Sequence, residues 1–437
     1  MTYPDLHVHL YGSLTAEDLY YLHSRNTPRW NYFIDSYKNT YNKIPDTENL
    51  FKYKTNADQK NSKTLLDEYY YFLEPGDFQK FQTSFDLVIA LSSTEPEELC
   101  EMVRRIASRT EGYSEFRMMF APGISEIQYS EKVTAICETM SSENKFRPAD
   151  SPLRLAMSLH RESGLYLKEY EILKSLQSRN ESVRKELTGI DFCAKEEGFP
   201  PREKSDFVER VISDNKKYPD SSLAVLYHVG ESYTDKTPES AARWVLESAL
   251  MGCHRLGHAV ALGIDPGYCR GPVSEIRKER VDHIRFLFDH CEELQAFGYP
   301  FDSDQLNAEL KNLEKNNQNE ISVMYGDEEC AKVRIFQDWA MALIKEKGTV
   351  IEVCPTSNIR IANLKKITAL PVWRFLEREL KIVIGSDDPG ILKTDILHEY
   401  SLIEEEIKKR NIPGLNFRNF RENAEKSVSE ILSGRIR

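Results

Sequence analysis

One apolar run of the chain ends in Leu226-Tyr227-His228-Val229-Gly230-Glu231. The run from Leu223 to Tyr227 is typical of a buried strand, and Gly230 allows a sharp turn and a close approach of another group. A neutral imidazole is a common metal ligand, and a carboxylate beside it can transfer protons. A lone histidine at a strand end is more often a packed residue, so a site needs partners elsewhere in the chain.

Seven other short runs have a similar character and alternate with helical patterns. They are Leu6–Leu10, Glu115–Phe120, Leu153–Leu159, Leu187–Ala194, His254–Leu262, Thr349–Cys354 and Lys381–Ile384. Together with Leu223–His228 they make eight strands that alternate with helices, which predicts an α/β protein with a (β/α)8 TIM barrel. A doubly wound open sheet is the alternative, but the sequence has no glycine-rich first turn of that kind.

Two intervals are longer than one crossover requires, and we interpret both as insertions in a single barrel domain that spans 1–437. Residues 15–112 follow strand one and are predicted to form a helical cap region, with loops and short helices in 26–63. Residues 263–347 separate strands six and seven. We predict an inserted helical subdomain there, with a charged helix near 273–297 and a polar stretch at 307–319. It could cap the site or mediate a homo-oligomer.

Aromatic residues recur between Leu65 and Leu91. At helical spacing, such a stripe favours core packing over stacking against a ligand.

The composition excludes several classes of function. The formal net charge is −12, which argues against sequence-specific nucleic-acid binding and against binding to anionic membranes. Residues 1–10 do not resemble a secretory signal, and no apolar run is long enough to span a bilayer. The eight cysteines show no CxxC pair and predict free thiols in a reducing compartment. We therefore expect a cytoplasmic protein.

Candidate metal ligands fall at the ends of several predicted strands. His7 and His9 alternate with apolar residues, so both point to one side of strand one. His228 ends strand five, and Asp387 follows strand eight. In such a barrel the C-terminal strand ends meet in one mouth, so these four residues would form a nitrogen and oxygen site with room for water. Each motif alone has an ordinary explanation, such as a turn, but their coincidence favours a catalytic zinc site.

These motifs resemble those of the adenosine deaminase family in the amidohydrolase superfamily. In chain order they are His7-Val-His9-Leu, His228-Val-Gly-Glu231, Arg255-Leu-Gly-His258, Glu352-Val-Cys-Pro-Thr-Ser-Asn358 and Ser386-Asp387-Asp388-Pro389. Glu115-Phe-Arg117 and Ile190-Asp191 are also similar to family sequences. The resemblance implies one Zn²⁺ per chain and hydrolytic deamination of a small-molecule purine, which releases ammonia.

The resemblance also implies a role for each residue. His7, His9, His228 and Asp387 would hold the zinc, and Asp387 would thereby also be catalytic. Glu231 would protonate ring N1, which requires a pKa raised by burial. His258 would orient and deprotonate the attacking water and stabilise the oxyanion.

Four residues are expected to contact the substrate. Asp388 would hydrogen-bond N7, and the backbone N–H of Ala194 would meet N3. Gly230 and Tyr11 complete this set. Tyr11 stands where family members usually have an aspartate that reads the sugar, so a phosphorylated adenine nucleotide such as AMP or ATP is a candidate substrate beside adenosine. Lysines at 52, 54, 60 and 63 could supply the counter-charge.

Two alternatives remain open from the sequence. Ala194-Lys195-Glu196 replaces the usual Gly-Asp-Glu, and a carboxylated Lys195 with His258 as a ligand would give a two-metal amidohydrolase. A non-catalytic ligand sensor or assembly subunit is a second alternative. Because family members carry more sequence before strand one, we also expect an upstream regulatory domain in a longer parent protein.

Overall fold

The structure is a computed structural model that describes residues 3–52, 55–162, 164–232, 234–315, 317–362, 364, 366–410 and 417–432. The strands in these ranges are β1 (Asp5–His9), β2 (Ser114–Met118), β3 (Leu153–Ser158), β4 (Leu187–Asp191), β5 (Ala224–Val229), β6 (Arg255–His258), β7 (Gly271–Ile276), β8 (Glu320–Tyr325), β9 (Val350–Val353) and β10 (Lys381–Ile384).

The first ten helices are α1 (Ala16–Arg25), α2 (Trp30–Tyr41), α3 (Asn56–Tyr69), α4 (Phe78–Leu91), α5 (Pro96–Ala107), α6 (Glu126–Asn144), α7 (Leu165–Arg179), α8 (Glu181–Glu186), α9 (Ser205–Lys217) and α10 (Pro238–Leu250). The others are α11 (Val260–Gly263), α12 (Arg277–Asp289), α13 (Cys291–Phe297), α14 (Ser303–Lys315), α15 (Asp327–Lys347), α16 (Pro355–Arg360), α17 (Val372–Glu377), α18 (Pro389–Leu392), α19 (Ile396–Arg410) and α20 (Phe417–Leu432).

Eight parallel strands form the barrel, in the order β1-β2-β3-β4-β5-β6-β9-β10. A parallel bridge between Val8 and Asp387 joins the first strand to the end of the last. The N–H of His9 donates to the carbonyl of Asp387 at 2.7 Å, and the N–H of Asp387 donates to the carbonyl of His7 at 2.8 Å. These bonds bring the two ends of the sheet together, and the predicted TIM barrel is confirmed.

The strand that carries Arg255-Leu256-Gly257-His258 is shorter than the predicted range 254–262. His258 and Ala259 have φ angles of 65° and 48°, which lie in the left-handed region and stop an extended strand. Helix α11 follows immediately. Because 260–262 are apolar and buried, the sequence did not distinguish a short helix there from a strand.

The cap region is more helical than predicted, because 26–63 contains the twelve-residue helix α2. Phe33 and Tyr37 are one turn apart and buried on one face of this helix. Tyr37 packs edge-on against Tyr69 of α3, with 5.1 Å between ring centroids. Tertiary contacts with aromatic residues therefore stabilise a segment whose polar composition suggested loops.

The interval 263–347 contains a two-stranded antiparallel ribbon as well as helices. β7 pairs with β8, so residues 273–276 are extended, whereas the sequence predicted a helix. The stretch 307–319, predicted only as polar, lies mostly in α14. The ribbon was missed because 43 residues lie between its two strands, from Ile276 to Glu320, and only their pairing defines it.

All eight cysteines are free thiols, as predicted. Among the described residues, no helix combines the length and the apolar character that crossing a membrane requires.

Candidate metal and substrate site

Four side chains converge at the C-terminal end of the barrel: His7, His9, His228 and Asp387. Their candidate ligand atoms all lie within 4.8 Å of one another. Nε2 of His7 is 3.5 Å and Nε2 of His9 is 3.3 Å from Oδ1 of Asp387. These separations are too long for strong hydrogen bonds but suit ligands of one ion.

The donor set fits zinc. Nε2 of His7 and Nε2 of His228 are buried and have no hydrogen-bond partner. Burial lowers the pKa of His228 to about 3, so this imidazole is in the neutral form that binds metals. Three imidazole nitrogens and one carboxylate oxygen are ligands that Zn²⁺ commonly takes in proteins.

Two buried carboxylates orient the imidazoles from behind. Nδ1 of His7 lies 3.0 Å from Oε2 of Glu352, and Nδ1 of His228 lies 2.9 Å from Oδ2 of Asp191. With its proton on Nδ1, each imidazole would donate a hydrogen bond to the carboxylate, which leaves the lone pair of Nε2 directed at the cluster. The sequence analysis noted the motifs that contain Asp191 and Glu352, but it did not predict that these carboxylates orient the histidines.

An ionic layer fills the barrel below the cluster and consists of Glu115, Arg117, Asp191, Arg255 and Glu352. Arg117 donates to Glu352, and its Nε lies 3.6 Å from Asp191. Arg255 lies 3.0 Å from Glu352 and also donates to Glu115. Although burial acts in the opposite direction, the two guanidinium groups hold the pKa of Glu352 well below its usual range. The sequence signal for this layer is charged residues within otherwise apolar strands.

A carboxyl and an imidazole stand beside the cluster. Nε2 of His258 is 3.6 Å from Oε2 of Glu231 and 4.0 Å from Oδ2 of Asp387. The amide of Asn358 lies 2.9 Å from Nδ1 of His258 and orients the ring. The contact between Asn358 and His258 was also not predicted from the sequence.

The pKa values of Glu231 and His258 are shifted in opposite directions. Burial, followed by the negative charge of Asp387, raises the pKa of Glu231 well above its usual range. Burial also lowers the pKa of His258 well below its usual range. At neutral pH a protonated carboxyl therefore adjoins a neutral imidazole, which is a suitable pair for acid and base steps. The direction for Glu231 agrees with the sequence-based expectation.

Left-handed backbone concentrates at this end of the barrel. Ala194, His258 and Asp387 have φ angles of 62°, 65° and 63°. Each costs about 1–3 kcal/mol in a residue other than glycine, and such strain persists only where the surrounding structure imposes it. All three residues line the central cavity, so the strained turns direct site residues into it.

Asp388 and Gly12 approach each other closely. A Cβ atom on Gly12 would lie 1.7 Å from Oδ1 of Asp388, so only glycine fits there. Oδ1 of Asp388 is buried without a partner, and burial together with Asp387 raises the pKa of Asp388 well above its usual range. A protonated Asp388 can donate a hydrogen bond to a ligand.

The cluster opens into a cavity of about 590 Å³, a volume typical of small-molecule sites. Its wall includes Tyr11, Ala194 and Asp388, as expected of substrate-binding residues. Gly230 is not part of this wall, which corrects its assignment: its N–H donates to Glu196 at 2.9 Å.

Aromatic residues of the cap region face the same cavity. Phe78, Phe81 and Phe85 line it, so the aromatic stripe, predicted as core, also forms the ligand cavity. No described residue of 263–347 belongs to the wall, so the insertion does not cap this cavity.

The basic residues near the cavity differ from those predicted. Lys52, Lys60 and Lys63 are not in the wall, and position 54 lies outside the described residues. Arg29 and Lys132 line the wall instead.

The hydroxyl of Tyr11 already has a hydrogen-bond partner within the chain. Its hydroxyl donates to Oε1 of Glu98 at 2.7 Å, and its side chain is buried.

Lys195 is exposed, next to Ala194, and lines a separate small cavity with Glu196 and Ser232. A second group, His258, Cys354 and Asp387, also has ligand atoms within 4.8 Å of one another, and it shares Asp387 with the first.

Histidine and aspartate side chains gathered at the C-terminal strand ends of a parallel barrel stand where enzymes of this fold carry their active sites. The sequence model of the adenosine deaminase family ("Adenosine deaminase") matches residues 332–429. The chain therefore resembles the adenosine deaminase family, as its motifs predict. Adenosine deaminase of Escherichia coli (strain SE11) is 36% identical over 91 residues, which cover 19% of this chain and only 27% of that protein.

Solved structures share the fold over nearly the whole chain. An amidohydrolase from Burkholderia ambifaria with bound Zn has a TM-score of 0.53 at 14% identity, covering 98% of this chain and 85% of that one. An Arabidopsis N6-mAMP deaminase has a TM-score of 0.53 at 14% identity, covering 98% and 93%. An Arabidopsis chain complexed with IMP has a TM-score of 0.51 at 14% identity, covering 93% and 86%.

Proposed function

We propose that this protein is a zinc-dependent aminohydrolase that converts an adenine nucleoside or nucleotide to the inosine-type product and ammonia. One observation carries the proposal: Nε2 of His258 lies 3.6 Å from Oε2 of Glu231, next to four converging side chains that could bind a metal, and burial raises the pKa of Glu231. Only a protonated carboxyl can supply the proton that loss of aromaticity in a purine ring requires. The match to the adenosine deaminase family supports the same reaction class.

His7, His9, His228 and Asp387 would hold one ion. When bound, zinc would act as a Lewis acid that brings the pKa of water near neutrality. Glu352 and Asp191 would keep the histidine tautomers fixed while the reaction proceeds.

The chain's own residues would carry the proton transfers. Glu231 would donate its proton to ring N1 as the water oxygen adds to C6. His258, held by the side-chain amide of Asn358, would orient that water and accept its proton. It would pass this proton to the exocyclic amino group, so that the C6–N bond breaks and ammonia leaves. The C6 hydroxyl would return its proton to Glu231 as the carbonyl forms, so one water is consumed for each amino group released.

Two further groups would hold the purine ring. Protonated Asp388 would donate a hydrogen bond to N7, which is an acceptor. The N–H of Ala194 would meet N3, supported by the left-handed turn that places Ala194 at the cavity.

A 5′-phosphorylated substrate is a candidate beside adenosine. Because position 11 carries a tyrosine, whose hydroxyl donates to Glu98, its own side chain has no carboxylate that repels a phosphate. Arg29 and Lys132 in the cavity wall would provide positive charge near it, with Lys132 3.3 Å from Glu95 of the same wall. The complex of an Arabidopsis structural neighbour with IMP supports a nucleotide-sized cavity in this fold.

Ammonia release from adenosine, AMP and ATP tests the proposal. We expect turnover of at least one of them, and a fall of about 10²–10⁴-fold in Glu231→Gln, as expected for loss of a general acid. The zinc content of this variant should equal that of the wild type. Activity confined to adenosine would exclude the phosphate assignment.

Metal analysis discriminates between the alternatives. One zinc per chain supports the single-metal mechanism, whereas two ions per chain would favour the two-metal hydrolase with Lys195. Zinc binding without turnover of any adenine substrate would favour a ligand sensor.

A further inference from the structure

The segment that carries Glu231 is held from both sides by one buried carboxylate. Oε2 of Glu196 accepts the N–H of Gly230 at 2.9 Å, and Oε1 accepts the N–H of Ser232 at 2.7 Å. Glu196 is only 5% exposed and lies in the turn after β4. Its two oxygens thus bracket the backbone of Glu231 between residues 230 and 232. We call these two contacts the Glu196 bridge.

A buried arginine holds the strand ends next to the bridge. Arg161 donates to the carbonyls of Phe192 at 2.7 Å, Cys193 at 3.0 Å and His228 at 2.8 Å. It therefore joins the end of β4 to the end of β5. The Glu196 bridge continues this connection beyond the ends of both strands, so the turn after β4 and the turn after β5 form one hydrogen-bonded unit.

The neighbouring carboxylate makes contacts of another kind. Glu197 accepts hydrogen bonds from the hydroxyls of Ser232 and Thr234, and the contact with Thr234 measures 3.2 Å. It touches the same turn, but among the described residues 230–232 and 234–235 it accepts no hydrogen bond from a backbone amide. Glu197 thus offers a control of equal charge one position away.

The turn is also anchored on its far side by the 263–347 insertion. The N–H of Ile276 donates to the carbonyl of Asp235 at 2.9 Å. Thr237 donates through its hydroxyl to Glu275 at 3.1 Å. These contacts fix the far end of the turn. Gly230 is also held through its carbonyl, which accepts the N–H of Ala261 at 2.9 Å, so Glu196 supplies the two amide contacts that flank Glu231.

We infer that Glu196 is a positioning residue for the deamination: it places Glu231 for proton transfer by bracketing the backbone on both sides. The inference rests on the proposed function. Glu196 is not one of the four candidate ligands and does not line the central cavity, and it shares a small adjoining cavity with His228 and Glu231. Its effect therefore passes through Glu231, and its loss should alter the chemical step more than substrate binding.

The test compares Glu196→Gln with Glu197→Gln and Glu196→Asp in the full chain. A glutamine at 196 keeps one acceptor but directs an amide donor at the other N–H, so one contact is lost. Misplacement of a reacting group by about 1 Å can cost about 10²-fold. We expect kcat to fall about 10–100-fold in Glu196→Gln, with KM within about twofold and the zinc content unchanged.

The other variants distinguish the effect of side-chain length at position 196 from the effect of its charge. Glu196→Asp keeps the charge but is too short to bridge both amides, so kcat should fall here as well. It also provides a second test if Glu196→Gln does not fold. Glu197→Gln should retain kcat within about twofold, because hydroxyls can bond an amide as well as a carboxylate. Equal kcat losses at 196 and 197, or a raised KM with unchanged kcat, would overturn the inference.

Hydrogen exchange distinguishes failure of the bridge from failure of the proposed function. The amides of Gly230 and Ser232 should be protected in the wild type and in Glu197→Gln, and should exchange at least about tenfold faster in Glu196→Gln. This measurement requires no substrate. Unchanged exchange would refute the bridge even in an active enzyme, whereas changed exchange without deamination would refute only the proposed reaction.

Discussion

Substitution of Asp191 by asparagine should weaken zinc binding without removing a ligand. Oδ2 of Asp191 lies 2.9 Å from Nδ1 of His228, and both side chains are nearly or fully buried. Asparagine keeps the shape and an acceptor oxygen but loses the charge. Nε of Arg117, 3.6 Å from Asp191, loses an ionic partner at the same time.

The magnitude follows from the change in hydrogen-bond type. A bond to a charged group contributes about 1.5–3 kcal/mol and a neutral one about 0.5–1.5 kcal/mol, so the loss is about 1–2 kcal/mol. Because 1.4 kcal/mol corresponds to a factor of ten, the Kd for zinc should rise about 5–30-fold. This range overlaps the loss expected when a carboxylate partner of a ligating histidine is removed.

Competition with a chromophoric chelator at fixed pH measures this Kd directly. Asp214→Asn is a matched control, because Asp214 accepts a hydrogen bond from Tyr170 at 2.9 Å outside the metal cluster. This control should bind zinc as the wild type does. A Kd for Asp191→Asn within twofold of the wild type, in a folded protein, would refute the assigned role of Asp191.

Two further substitutions have defined outcomes. Gly12→Ala should lower kcat/KM at least about tenfold with zinc retained, because its Cβ would displace Asp388; activity assays and metal analysis check this. Burial raises the pKa of Glu399 to about 7, so its ionisation costs stability as pH rises between about 4.5 and 7. Glu399→Gln should be about 3 kcal/mol more stable than the wild type at pH 8 and nearly equal at pH 4.5, as measured by denaturant unfolding. A difference independent of pH would contradict the buried-carboxyl assignment.

The sequence predicted the barrel and the metal cluster because both depend on local patterns. Alternation placed His7 and His9 on one side of β1, and the strand count placed His228 and Asp387 at the same end of the barrel. The structure brings these four side chains together as expected. Their role as zinc ligands stays a prediction that metal analysis must test.

Contacts between distant segments could not be predicted. Glu196 and Ser232 are 36 residues apart, and nothing in either motif indicates that one bonds the other. The lysines in 52–63 were proposed as counter-charge from composition alone. Arg29, just before α2, and Lys132 in α6 line the cavity instead, because tertiary packing brings them there. Likewise, only its tertiary partner, Glu98, explains the orientation of Tyr11.

A bound metal ion would take part in the charge balance of the barrel. The ionic layer has three carboxylates, on Glu115, Asp191 and Glu352, and two guanidinium groups, on Arg117 and Arg255, and Asp387 of the cluster adds a fourth carboxylate. The two excess negative charges are equal and opposite to one divalent cation. The ion would therefore serve as an internal counterion of the folded chain, because charges inside a protein are costly unless they are compensated. Catalysis and folding would then depend on the same ion.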